Sequence, residues 1–475
     1  MLNTLNDVLN NVDNFIWGMP LIILILFTGI LLTVRLRGLQ VRHLGKALHY
    51  VFHNEDDGEG EVTSFGALCT ALSATIGTGN IVGCATAIVA GGPGALFWMW
   101  LAAFFGMATK YAEGMLAVKY RVIAEDGHAL GGPFYYIEKG MGKNFKWLAK
   151  LFCVFGTMVG LFGIGTFTQV NGITSAVNNF FDPSNVHMIS LFERNYSISV
   201  VVAGIIVTIC VGLVIIGGIK RISKVSEVIV PFMAVTYIGV CLIIVFTHLP
   251  QVPAAFAEIV QSAFGLKAVA GGAIGAMTVA MQKGIARGIF SNEAGLGSAP
   301  IAAAAAQTNE PVRQGLVSMT GTFIDTIIVC TMTGLAIVMT GAWDMGLEGV
   351  AVTTKAFALG LPFPAKASAF ILMMCLVFFA FTTILGWAYY SERCLEYLVN
   401  GKKFVITAFK WLYILAVFIG PFMTVSAVWT IADICNGLMA FPNLVALLAL
   451  NGDVVSETRG YLERVGIVKT TVGEA

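Results

Sequence analysis

The sequence predicts an all-α polytopic membrane protein of about eleven transmembrane helices. One N-terminal helix is followed by a 5+5 inverted repeat, and each repeat opens with a broken helix. Three observations predict this. Hydrophobic residues make up 57% of the 475 positions and charged residues 12%, where soluble domains carry roughly 25% charged; mean hydropathy is +0.82. Apolar runs near the ~20 residues that span a bilayer succeed one another along the chain. Two of these runs, five apart, hold glycines and polar side chains at their centres.

Such a composition excludes a soluble enzyme and a disordered chain. With 28 Lys+Arg against 27 Asp+Glu and no basic tract, nucleic acid is excluded as a partner. The nine cysteines lie almost entirely within apolar runs and include no C-x-x-C pair. They read as small apolar residues, with neither a disulfide framework nor a zinc site.

In order, spans are expected near 15–34, 65–90, 94–117, 151–176, 198–218, 227–248, 278–308, 315–341, 367–391, 404–420 and 422–440. The first, Phe15 to Val34, follows a polar, acidic start and has no small-residue cleavage site, so it reads as a span and not a signal peptide. Between spans, the connections at 35–64, 119–150, 218–227, 309–314 and 391–403 and the tail after 451 hold twenty of the 28 Lys and Arg; the first 14 residues and the connections at 177–197, 249–277 and 342–366 hold four. Positive loops stay cytoplasmic. The N-terminus is therefore expected outside and the C-terminus inside the plasma (inner) membrane, as an odd span count requires. The chain divides into 1–64, the N-terminal helix and its cytoplasmic connection; 65–250, the first repeat; 251–440, the second; and 441–475, a cytoplasmic tail.

The second span reads TSFGALCTALSATIGTGNIVGCATAIVAGG, with Gly77 and Gly79 at its centre. Glycine costs about 1 kcal/mol against alanine inside a helix, and an unpaired backbone group in lipid costs several. Either the helix is broken to turn carbonyls and amides toward something polar, or the small residues serve close packing. The seventh span, MQKGIARGIFSNEAGLGSAPIAAAAA, places Ser291, Asn292 and Glu293 at mid-span, then Gly295, Gly297 and Pro300. With the first helix set aside, these two spans open five-helix halves of opposite orientation. Glycine-interrupted segments in corresponding positions are the sequence mark of an inverted-repeat transporter and of its binding site.

The runs GGPGALFWMW (Gly91–Trp100), ATIGTGNIVG (Ala74–Gly83) and GIFSNEAGLGSAP (Gly288–Pro300) resemble the hallmark stretches of the alanine/glycine:cation symporters, the sodium:alanine symporter family. The resemblance spans about residues 15–440. It implies a leucine-transporter-like fold and sodium-coupled uptake of alanine or glycine, with Na+ as the coupling ion and no cofactor. The partners expected are a small amino acid, sodium and the lipid bilayer.

A small zwitterion needs partners for one carboxylate and one ammonium. The amides of Thr78, Gly79 and Asn80 open the second half of the broken second span, where free N–H groups and the helix dipole suit a carboxylate. Carbonyls near Arg287 to Phe290, beside Ser291, suit the ammonium, and Thr75 and Gly77 are expected against the substrate backbone. By resemblance, Phe290 and Trp387 close over the small side chain. Gln169, amid apolar residues of the fourth span, either binds substrate or makes an interhelical bond. Asn171 is expected to face elsewhere. In the ninth span, Thr382 and Thr383 offer two hydroxyls; alone, such a pair bonds back to its own helix. The leucine-transporter pattern adds the carbonyls of Ser73, Ile76 and Phe379, making a five-oxygen sodium site without a carboxylate.

Of the intramembrane charges, Lys283 and Arg287 either line an external vestibule or pair with Glu293 or Glu258. Lys110 and Glu113 have the spacing of a structural pair, and Asp325 is a gating or proton group. None is assigned to the substrate. The chain has no H-E-x-x-H, no G-x-S-x-G and no G-x-x-x-x-G-K-[ST], and its six histidines lie in loops or at span ends. These absences count against an intramembrane enzyme or a nucleotide-driven pump. The alternatives kept are a proton-coupled carrier of the same fold and an ion channel.

Overall fold

Leu2, Leu5, Leu9, Val12 and Ile16 recur at three- and four-residue steps, the period of one helix face. The chain there forms α1 (Leu2–Ile16), within the stretch expected as a polar start before the first span. The protein, described from a computed structural model, covers residues 2–53, 58–124, 127–191, 194–266, 272–423 and 426–466. The last part of the expected cytoplasmic tail, 467–475, lies outside the described residues.

After α1 come α2 (Met19–Arg35), then α3 (Leu39–Arg42) and α4 (Leu44–Phe52) in the first basic connection. The first repeat holds the broken pair α5 (Ser64–Thr75) and α6 (Cys84–Gly91), α7 (Gly94–Lys119), the short α8 (Pro133–Tyr136), the consecutive α9 (Lys146–Phe162) and α10 (Phe167–Phe181), α11 (Ile198–Ile215) and α12 (Gly218–Thr247). Beyond α13 (Val252–Ala263), the second repeat holds the broken pair α14 (Ala273–Asn292) and α15 (Ala299–Ala303), then α16 (Pro311–Thr322), α17 (Thr331–Met339), α18 (Val350–Gly360), α19 (Ala365–Leu398), α20 (Lys403–Ile419) and α21 (Ser426–Ala449), with α22 (Asn451–Arg464) after it. The strands form two hairpins, β1 (Val122–Ile123) with β2 (Ala129–Leu130) and β3 (Met188–Leu191) with β4 (Arg194–Ser197).

Among the described residues eight helical segments are long and apolar enough to cross a membrane, or nine with α5–α6 counted as one bent span. Counting α7 and the α14–α15 pair with them gives the eleven expected. Span edges differ in several places: the expected connection at 218–227 is helical as the start of α12, and α19 runs on to Leu398, into the connection expected at 391–403. The fourth covers α9 and α10 together, and the last runs past residue 440 to Ala449, because FPNLVALLAL (441–450) continues its apolar character. In lipid, helices associate by close packing more than by hydrophobic burial. Gly284 of α14 shows this: a Cβ there would lie 2.2 Å from the Ala95 carbonyl oxygen of α7, so the two backbones touch.

Candidate substrate and sodium site

α5 stops where helical geometry fails. Ile76 turns to ψ 93°, and the Gly77 N–H donates to the Asn80 side-chain oxygen at 2.9 Å instead of to a backbone carbonyl. The chain resumes as a π-helical turn over Gly79–Gly83 and then α6, bent by 53° from α5. Gly77 is a close-approach position: a Cβ would sit 2.5 Å from Thr383 Oγ1 and 3.7 Å from Gln169 Oε1. The same residue therefore faces α19 and α10 at once.

On the α19 side four expected oxygens converge. Thr382 Oγ1 donates to the Phe379 carbonyl at 3.0 Å and to Phe378 at 3.1 Å. Thr383 Oγ1 lies 3.0 Å from the Phe379 carbonyl and 3.5 Å from that of Ile76. The threonines thus bond back to their own helix, as an isolated Thr-Thr pair would; Thr383 also reaches the carbonyl freed by the break, whereas Thr382 Oγ1 has Met233 Sδ at 3.6 Å. Ser73 is buried with its hydroxyl on the Thr70 carbonyl at 2.7 Å. Its neighbour Ala74 packs on Gly386 of α19. Oxygens without a carboxylate suit a hard monovalent cation.

On the α10 side stands Gln169, 2% exposed, whose Oε1 is buried and has no hydrogen-bond partner among the described residues. Leaving a buried acceptor unsatisfied costs about 1–3 kcal/mol, so this oxygen is poised for a donor. Asn171 faces elsewhere, donating to the carbonyls of Phe167 and Gly420.

The second break is built differently. Glu293 ends α14 in the left-handed region (φ 55°), and Gly295 and Gly297 follow at φ 89° and 82°. Most of its polar groups are taken up, with Glu113 Oε2 buried and left without a partner among the described residues. Glu293 accepts from Ser298 Oγ at 2.5 Å and from the Trp387 indole at 3.0 Å. Glu113 of α7 accepts from the Gly295 N–H at 3.2 Å and from Asn443 at 2.6 Å, and Asn443 also donates to the Gly295 carbonyl at 2.9 Å.

Asp325 joins the two breaks. It lies, fully buried, in the π-helical stretch Phe323–Cys330 between α16 and α17. Its carboxylate accepts from Asn80 at 2.8 Å, from Ser291 at 2.9 Å and from Thr326 at 2.7 Å. Asn80 and Ser291 thereby hold the breaks together, and a Cβ added at Gly79 would lie 3.6 Å from both Phe290 and Ser291.

The structure accordingly brings together Ile76, Gly77, Gln169, Phe379, Thr382 and Thr383, and separately Gly79, Phe290 and Ser291. Thr78 faces Gly172 of α10. Thr75 bonds to the carbonyls of Ala71 and Leu72 and borders a cavity of about 20 Å³ shared with Lys110 and Asn292. Trp387 is fully buried, with its indole on Glu293. The expected Lys110–Glu113 pair does not form among the described residues, because Glu113 turns to the second break. Sequence reasoning leaves Asp325, Glu293 and Glu113 without a site role. An ionisable residue inside a span is the signal that points to them.

The two ends of this centre also differ. Toward the start of α14 lies a cavity of about 260 Å³ bordered by Phe290. Toward the start of α5 the chain is tied shut: residues 59–62 pair with 305–308, Glu61 and Val62 donating to the Ala305 carbonyl and Gln307 donating back to Val62 at 2.7 Å. Arg121 donates to the carbonyls of Glu59, Ala304, Ala306 and Thr308 at 2.6–2.9 Å.

A helical membrane bundle with two broken helices at matching places in inverted halves, meeting at buried polar groups, defines a secondary carrier. The chain belongs to the sodium:alanine symporter family, whose sequence model matches residues 2–472. It is 55% identical to an uncharacterized transporter of Haemophilus influenzae over 98% of each chain. It is 46% identical to the sodium/alanine symporter AgcS of Methanococcus maripaludis, over 96% of this chain and 97% of that one. Among solved structures it is similar to MhsT in complex with L-phenylalanine, at TM-score 0.59 and 12% identity over 84% of this chain and 93% of that chain. That likeness carries the fold.

Proposed function

We propose that this protein imports small neutral amino acids, alanine and glycine, together with sodium by alternating access. In this reading it is a carrier that needs no cofactor and makes or breaks no covalent bond. The observation that carries it is Gly77, wedged between Thr383 and the unsatisfied Gln169 oxygen. Sodium takes the carbonyls of Ser73, Ile76 and Phe379 and the hydroxyls of Thr382 and Thr383, drawing the end of α5 onto α19. The substrate ammonium meets Gln169 and the carbonyls before Ser291, and its carboxylate meets the amides of Thr78, Gly79 and Asn80. Phe290 covers the side chain, with Thr75 and Trp387 on the inner side. Both ligands need the chain around Gly77 in one conformation, so each favours the other's binding.

The protein lies in the inner membrane with the N-terminus outside and the C-terminus in the cytoplasm, by its lysine and arginine distribution. The Phe290 cavity is then the external approach, and the ties made by Arg121 close the cytoplasmic side. Residues 65–250 and 251–440 act as the two repeats, rocking about the shared centre.

Uptake of labelled alanine into proteoliposomes tests this. An inward sodium gradient is expected to drive accumulation that potassium does not, and Thr383→Ala to abolish it. Equal uptake in potassium overturns the reading. A second reading, proton coupling through Asp325, is favoured by that carboxylate's contact with both breaks. Uptake driven by a pH gradient without sodium and lost in Asp325→Asn would establish it.

A further inference from the structure

Outside the centre just described, the cavity bordered by Phe290 holds charges that the transport site does not use. Lys283 and Arg287 border it from α14, Asp13 from α1 and Asp433 from α21. Its wall is built, not incidental: the Trp17 indole donates to the Asp433 backbone carbonyl at 3.0 Å, and α21 comes so close at Gly437 that a Cβ there would lie 2.5 Å from Ile16. Among the described residues no ion pair joins these cations to these carboxylates. Yet Arg287 is close enough to act electrostatically on both Asp13 and Asp433, and Asp13 Oδ1 is buried with no hydrogen-bond partner among the described residues. Opposite charges around one cavity at a membrane protein's core edge attract strongly. Held apart, they leave a gap that fits a molecule carrying both signs.

We infer that this cavity is a second, sodium-independent binding site for a zwitterionic amino acid, with Arg287 taking its carboxylate and Asp13 and Asp433 its ammonium. The inference rests on the proposed function for the identity of the cargo. At about 260 Å³, the cavity is several times the ~30 Å³ share of a water molecule in the liquid, room for a small amino acid with water around it. Phe290 borders it and also lies beside Gly79, where an added Cβ would come 3.6 Å from the ring, and the Arg287 guanidinium lies 5.7 Å from the centre of the Phe290 ring. A zwitterion held here stands one side chain away from the central site. Asp13 belongs to α1, outside both repeats, so the N-terminal helix supplies part of the recognition.

The site can be read separately from transport by cysteine protection. Asn14 borders the cavity. Of the native cysteines Cys210 is exposed and the other eight are buried, so Asn14→Cys on a Cys210→Ser background gives one accessible thiol. In purified full-length protein, alanine is expected to slow its modification by a charged thiol reagent equally in sodium and in potassium. Propionate and ethylamine, each carrying one of the two charges, are expected to need at least about tenfold higher concentration, the loss of one charge-assisted bond. Added Asp13→Asn or Arg287→Gln is expected to abolish protection, and in Asp13→Asn sodium-dependent alanine binding at the centre is expected to persist; Asp433→Asn provides a second acidic variant should Asp13→Asn fold poorly. Protection that requires sodium, or that Thr383→Ala removes, would overturn the inference, since it would report the central site alone. So would absence of protection in a protein that binds alanine in sodium. Failure of the proposed function looks different, with no sodium-dependent alanine binding in the parent protein.

Discussion

The two breaks occupy matching places in the two repeats, yet one is bonded at most of its polar groups, with Glu113 Oε2 left over among the described residues, and the other is left wanting at its centre. At the second, Glu293, Glu113, Asn443 and Trp387 take up the freed polar groups. At the first, the buried Gln169 oxygen beside Gly77 has no partner among the described residues and the Ile76 carbonyl has only a distant hydroxyl. A satisfied polar network stiffens a structure, whereas an unsatisfied one awaits a ligand. Under the proposed function, the difference puts ligand binding chiefly at α5–α6 and its neighbours α10 and α19, and scaffold duty at the turn between α14 and α15. Asp325 and, more weakly, Cys330 contact both breaks, each through Asn80 and Ser291.

Substitutions at the two breaks should separate binding from stability. The largest effect is expected of Gly77→Ala. Its methyl would meet Thr383 Oγ1 at 2.5 Å, and the displaced helix end should lower sodium-driven alanine uptake at least about a hundredfold, a barrier change of about 2.7 kcal/mol. Uptake within a few-fold of the parent would remove Gly77 from the centre.

Gln169→Leu sharpens the contrast further. If Gln169 serves substrate, the KM for alanine rises about tenfold or more while the apparent melting temperature holds or increases, because an unsatisfied buried oxygen is gone. A lower melting temperature with unchanged KM would show instead that Gln169 is structural.

At the second break the expectation is reversed. Glu293→Gln weakens its bonds to Ser298 and Trp387, each charge-assisted and worth about 1.5–3 kcal/mol. Thermal unfolding should come earlier, with sodium affinity of the folded protein changed less than in Thr383→Ala. Smallest is Gly295→Ala. At φ 89°, with Leu444 Cδ2 only 3.2 Å from the added Cβ, it should cost about 1–2 kcal/mol of stability and leave alanine KM alone. A large KM change there would erase the distinction between the breaks.

Much of the fold is legible in the sequence because it is written in local pattern. Gly77 and Gly79 within an apolar run, and Glu293 through Gly297 five spans later, announce both interruptions. The Thr382–Thr383 pair stands out as two hydroxyls at mid-span. Span edges are less legible: the helical start α1 and the apolar continuation to Ala449 fall where amphipathic period and hydropathy give different boundaries. The roles of the ionisable residues are harder still. Lys110 and Glu113 have pair spacing on one helix, yet Glu113 bonds to Gly295 and Asn443.

Hydropathy, charge asymmetry and glycine placement determine how many times the chain crosses and where it breaks, because each reflects the transfer of a short segment between water and lipid. They are properties of neighbours in sequence. Which side chain satisfies which freed group is another matter: Asn80 finds Asp325 across 245 residues, and Trp387 finds Glu293 across 94. Those pairings exist only once the helices have packed, since burial away from water is what makes an unpaired polar group costly enough to select its partner. The same packing left the Gln169 oxygen without one.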